Sequence, residues 1–168
     1  MNEKGVKNMK NKAYHTIADL VGIPSERQWF IEDPKKYFKE TLDEYDDRFI
    51  TEDEEDTIVW VGFIIEMTRD KRLWGMDGSF YLEDFTGCLE EILPAGLSIN
   101  ADILDEDDDI TVWAEAVNKD WESAGYVLAC FDIDSDSYEM FVCKKDVFDQ
   151  LAEEAQKAGH RIDLAQNM

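Results

Sequence analysis

Three aspartates alternate at Asp132, Asp134 and Asp136, and Ser137, Tyr138 and Glu139 follow directly. Carboxylates at this spacing are donors that a hard divalent cation takes. The run opens like a calcium loop, but its sixth position is Ser137 rather than glycine and its twelfth is Cys143 rather than glutamate. The sharp turn and the bidentate ligand are both missing, so tight calcium binding is not expected. A looser divalent site from Asp134, Asp136 and another acid is the remaining metal chemistry, and no metal or cofactor is assigned. Nucleophilic catalysis lacks a motif: there is no G-x-S-x-G, and the two histidines lie far apart. Gly75-Met76-Asp77-Gly78 is too short to cradle a phosphate and lacks the lysine that such a loop needs. No catalytic residue is therefore assigned. The candidate binding residues are Asp132, Asp134, Asp136, Ser137, Tyr138 and Glu139, with Trp74 beside the glycine-containing turn. For Trp74 alone, packing at a sheet edge is the plainer reading.

These acids interrupt the strongest sheet signal in the chain, Gly125 to Cys143. Tyr126 to Ile133 and Tyr138 to Cys143 are rich in aromatic and aliphatic residues, and Asp134-Ser135-Asp136-Ser137 between them are turn formers. A two- or four-residue loop places Ile133 opposite Tyr138, Phe131 opposite Met140 and Ala129 opposite Val142. One face then carries Val127, Ala129, Phe131, Ile133, Tyr138, Met140 and Val142 and meets the core. The other carries Leu128, Cys130, Asp132, Glu139, Phe141 and Cys143 and is half covered. In this register Asp132 faces Glu139, and like charges so placed destabilise a ladder. A nearby cation such as Arg161, plain solvation, or a bound ligand or metal would relieve the opposition.

With 168 residues, 44% hydrophobic and 12% aromatic, the chain is long and apolar enough for one domain with a real core. Its net charge of −23 argues against nucleic acid and against anionic membrane surfaces, while permitting a basic protein partner. Cys88, Cys130 and Cys143 are odd in number and lack metal-ligand spacing, so they read as buried thiols in a reducing, cytoplasmic setting. The basic N-terminus lacks an apolar core for a signal peptide, and no apolar run is long enough to span a membrane.

The other elements follow from caps and periodicity. Residues 1–12 are lysine-rich and read as a flexible arm, with a single domain over 13–168. Ala13 to Val21 is a short helix carrying His15 as an exposed side chain. Asp33-Pro34 starts a helix running to about Asp46 with Tyr37, Phe38, Leu42 and Tyr45 inward. Asp43 to Asp56 holds nine acids, and Thr51 and Glu54 match a capping box. Ile58 to Met67 is nearly continuously apolar; β-branched content favours a strand, the cap and the length favour a helix, and we read a central helix. Lys71 to Ser79 is a turn region with an edge strand at Leu73-Trp74. Tyr81 to Leu93 is an amphipathic helix with Tyr81, Phe85, Cys88, Leu89, Ile92 and Leu93 on one face, stopped by Pro94. Leu97 to Asp109 is a loop with a possible strand near Ile99, and Asp109 caps a helix ending at Gly125. Asp146 caps the last helix, Arg161 to Leu164 adds a short strand, and the final residues fray. The expected fold is α+β: a small, mainly antiparallel sheet built on the 126–143 hairpin and covered by about six helices.

The run helix, then G-Y-V-L-A-C-F-D-I-D-S-D-S-Y-E-M-F-V, then helix and short strand, resembles an uncharacterised family of small bacterial proteins, a domain of unknown function. The helices around L-W-G-M-D-G are similar in arrangement. The resemblance covers residues 55–165 and implies an intracellular bacterial α+β protein without implying an activity. The chain also looks broadly like the small acidic immunity proteins that neutralise toxins. The leading functional expectation is thus an interaction module of the immunity kind, recruiting a basic partner through acid runs such as Asp105, Asp107 and Asp108. The alternative is a metal-dependent enzyme or ligand-binding domain built on the D-S-D-S-Y turn.

Overall fold

The architecture comes from a computed structural model that describes residues 2–78 and 80–168, so the outermost residue of the expected arm, Met1, and the end of the expected turn region, Ser79, lie outside the described residues. Eight α-helices are present among the described residues: α1 (Glu3–Leu20), α2 (Trp29–Glu32), α3 (Pro34–Glu40), α4 (Leu42–Asp46), α5 (Glu55–Arg69), α6 (Leu82–Ile92), α7 (Ile110–Trp121) and α8 (Lys145–Ala158). Four strands, β1 (Leu73–Asp77), β2 (Tyr126–Phe131), β3 (Ser137–Lys144) and β4 (Ile162–Leu164), form one sheet in the order β1-β3-β2-β4. Its pairings are antiparallel, and the hairpin strands sit at the centre of this α+β fold.

The hairpin register differs from the sequence expectation by one residue. Phe131 faces Glu139, Cys130 faces Met140 and Ala129 faces Phe141, with five residues between the strands. Asp132 has left the ladder, so the expected Asp132–Glu139 opposition does not occur. Its carboxylate accepts a hydrogen bond from the Asp134 amide at 2.9 Å and pairs with Arg161 at 3.4 Å. Alternation could not select this register because both faces of the sheet are covered. Val127, Ala129, Phe131 and Phe141 join a core built with α1–α5 and α8. Leu128, Cys130 and Met140 join a second core with α6 and α7. A slip of one residue therefore moves apolar side chains from one core to the other.

Helix α5 is central to the first core, and Ile58 through Met67 are all buried. The Phe30 ring lies against its Gly62: a Cβ there would sit 2.7 Å from Phe30 Cδ2. The expected capping pair forms one turn ahead of the helix. The Thr51 amide donates to Glu54 at 2.7 Å, and Glu54 is itself the residue before α5.

Several local expectations require correction. Residues 3–12 are not a frayed arm but the first turns of α1, capped by Asn2 and tied to the start of α5 by Lys7–Glu55 (3.4 Å) and Lys10–Asp56 (2.9 Å). The Asp33-capped helix breaks at Thr41, whose hydroxyl donates to the Tyr37 carbonyl at 2.7 Å, and Leu42 is exposed. Tyr81 precedes α6 and is exposed rather than inward. His15 is half-buried and bonded to Gln28 and Glu32. The segment near Ile99 is irregular and leads to a 3-10 turn at Ala101–Ile103. The final residues form a 3-10 turn, with Ala165 buried, rather than fraying. Among the described residues, no helix is long and apolar enough to cross a membrane.

Candidate functional site

The β2–β3 turn forms one wall of an open cleft of about 790 Å³. The loop between α4 and α5 forms the opposite wall, with Asp47, Arg48, Phe49, Ile50 and Glu54. Thr57, Trp60 and Val61 of α5 and His160 after α8 complete it.

The turn is held by its own polar side chains. Besides the Asp132 bond to Asp134, Ser135 Oγ accepts from the Ser137 amide at 3.2 Å. Asp134 adopts a left-handed backbone, φ 60°, which aspartate tolerates better than most residues. The Trp60 indole donates to the Asp132 carbonyl at 2.7 Å and fixes the turn to α5. Trp60 also stacks flat on the His160 ring, with centroids 4.3 Å apart. His160 Nε2 lies 2.9 Å from the Tyr14 hydroxyl and 3.3 Å from Asp56 Oδ2. Tyr14 donates to Asp56 at 2.7 Å, so α1 and the start of α5 brace the cleft from behind. Partial burial alone would raise the Asp56 pKa, but hydrogen bonds from His160, Tyr14 and Lys10 overcome it and hold the carboxyl well below the usual range. Burial, then the hydrogen bond to Asp56, pushes the Tyr14 hydroxyl up, so it stays protonated.

Glu139 lies on β3 facing the first core and is buried. Its carboxylate accepts from Ser137 Oγ at 2.8 Å and meets Arg48 at 3.5 Å. On the neighbouring strand it lies over Gly75, where a Cβ would come within 2.6 Å of Oε2. A buried carboxylate needs such partners, and Arg48 in turn draws the α4–α5 loop toward the sheet. The next residue, Phe49, then has φ 56° and is 93% exposed.

The structure thus brings together Asp132, Asp134, Asp136 and Ser137 on one cleft wall, with Glu139 behind Ser137 and Arg48. Tyr138 and Trp74 are not part of it. They align with Met76 and Met140 on the opposite sheet face, in the second core's side of the fold. Asp105, Asp107 and Asp108 lie apart from the cleft as well. Asp105 accepts from the Asp107 amide at 3.0 Å, and its carbonyl accepts from the Trp113 indole at 2.6 Å. Trp113 belongs to the second core. Arg48, Phe49, Trp60 and His160 carry no motif that marks them in the sequence. The only sign of the first two was an arginine and two apolar residues, Arg48-Phe49-Ile50, inside the acid run Asp43–Asp56.

Five carboxylates line the cleft, those of Asp47, Glu54, Asp132, Asp134 and Asp136, and its one arginine, Arg48, is engaged by Glu139. Such a concave acidic wall concentrates cations near it. Among the described residues, no three His, Cys, Asp or Glu side chains converge as a metal ion would require.

No curated protein and no solved structure matches the chain. The profile of a family described as Domain of unknown function (DUF6630) matches residues 13–165. By that match, the chain belongs to this family, an uncharacterised one of the sort that the helix–hairpin–helix run resembled.

Proposed function

We propose that the cleft is a protein-interaction site that takes a basic segment of a partner, with Phe49 as its apolar anchor. The observation that carries this reading is Phe49 itself: a bulky side chain, 93% exposed, on a left-handed backbone at the rim of an acidic cleft. Neither feature stabilises the isolated chain. Left-handed strain in a non-glycine residue costs of order 1–3 kcal/mol. Burying a phenylalanine side chain contributes about 1.5–3 kcal/mol, available here only when something covers it. Five lining carboxylates supply charge complementarity for arginine or lysine side chains, and an aromatic face also attracts a guanidinium.

In this reading the protein is an intracellular bacterial module of the immunity kind, neutralising or sequestering a basic partner. The alternative use of the turn as a metal-dependent site asks for three converging ligands, and Asp132 is already engaged by Arg161 and by the Asp134 amide.

The test is calorimetric titration with an oligo-arginine peptide at low salt. Asp134→Asn/Asp136→Asn and, separately, Phe49→Ala should each weaken binding by about tenfold, equivalent to about 1.4 kcal/mol. Asparagine also tolerates the left-handed position at 134, so the turn is preserved. Neutralising Asp105, Asp107 and Asp108 together should leave the affinity close to that of the parent. Equal losses from both sets, or loss only from the second, would overturn the assignment to the cleft.

A further inference from the structure

A second cavity, of about 330 Å³, opens where β1 is shorter than its neighbour. The first pair of β1 with β3 is Leu73–Phe141, yet β3 continues to Lys144. Beyond Leu73 the place alongside Val142 and Cys143 is open, and the ends of α1, α5 and α6 surround it. Leu20, Met67, Ile92, Phe141, Cys143 and Leu151 make an apolar lining. The size falls within the range of small-molecule sites. Burial pushes the Cys143 thiol up to about 12, with Asp146 and Asp149 adding to the effect, so it stays a neutral wall.

The charged lining residues are Lys71, Arg72 and Glu91. Arg72 is engaged: its guanidinium donates to the Val21 carbonyl, to the Gly22 carbonyl at 3.3 Å and to Asp70 at 3.0 Å. Lys71 has no hydrogen-bond or ion-pair partner for its ammonium among the described residues. Its backbone is also unusual. The Arg72 amide donates to the Met67 carbonyl at 2.9 Å and the Lys71 amide to Thr68 at 3.0 Å, which ends α5 in a Schellman motif with Lys71 at C′. That position takes a left-handed backbone, here φ 54°, and favours glycine. In a chain of net charge −23, this corner carries Arg27, Arg69, Lys71 and Arg72 against Glu66, Asp70 and Glu91.

We infer that this cavity binds a medium-chain carboxylate, with its alkyl tail in the apolar notch and its carboxylate on Lys71. The tail displaces water from apolar walls. The head supplies the partner that Lys71 lacks, and a lysine at a site built for glycine is explained by that contact.

Calorimetry with octanoate, octanol and octylamine tests it on the whole chain. Octanoate should bind about tenfold or more tighter than octanol, and octylamine weakest. Lys71→Gly should remove the octanoate advantage while raising the thermal midpoint, because glycine relieves the left-handed strain. Lys71→Arg should keep the advantage, and Leu93→Trp, which fills the cavity, should abolish binding of both octanoate and octanol. Absence of octanoate binding, equal affinity for octanoate and octanol, or an advantage that survives Lys71→Gly would overturn the proposal. A merely structural lysine would not separate stability from carboxylate affinity in this way.

Discussion

Asp56 accepts hydrogen bonds from Tyr14 and Lys10 and faces His160, and its carboxyl is held below the ordinary range although it is partly withdrawn from solvent. A depressed carboxyl stabilises the folded state at pH above its unfolded value, near 4, and that contribution disappears as pH falls through the folded value. Asp56→Asn should therefore have a lower thermal midpoint than the parent at neutral pH, and the gap should narrow progressively as pH falls below about 4. A gap that stays constant in thermal melts across that range would contradict the network. Glu139 offers a second residue-scale test. It is buried at 3% exposure, faces Phe131 across the ladder, and pairs with Ser137 and Arg48. Glu139→Lys should cost about 3–5 kcal/mol in urea unfolding, because it leaves Arg48 facing a like charge. In the register expected from sequence, Glu139 opposed Asp132 on a half-covered face, where lysine would be harmless. A neutral substitution would therefore restore that register.

At the scale of elements, α5 holds the first core and one wall of the cleft together. Gly62→Ala would normally favour a helix by about 1 kcal/mol. Here the added methyl meets the buried Phe30 ring at 2.7 Å, so the variant should lose about 1–3 kcal/mol in chemical denaturation. Most elements were legible because their ends carry local chemistry. Asp33 before Pro34, Asp109 before Ile110 and Pro94 after α6 mark boundaries within a residue or two. The buried run from Ile58 proved helical, as its length and the preceding acids suggested. What escaped was set by tertiary contact. The lysines of α1 find carboxylates on α5, forty-odd residues away in sequence. The hairpin register depends on helices covering both sheet faces, and alternation along the strands carries no information about the second layer. The acidic turn was visible as a cluster, but its companions Phe49, Trp60 and His160 come from three separate segments. Period and capping rules do not bring such segments together.

For the molecule as a whole, the net charge of −23 is spread over many solvated side chains, so acidity alone does not locate a partner site. The cleft differs from the Asp105–Asp109 run in combining carboxylates with an exposed aromatic ring and a concave wall. In the 105–109 run, Asp105 and Asp109 serve their own turn and the cap of α7. The most direct measurement is amide chemical-shift mapping of the labelled protein during titration with oligo-arginine at low salt. The cleft assignment predicts saturable shifts concentrated at Arg48–Ile50, Thr57 and Asp132–Ser137. Shifts centred on Asp105–Asp109, or spread evenly over exposed carboxylates without saturation, would contradict it.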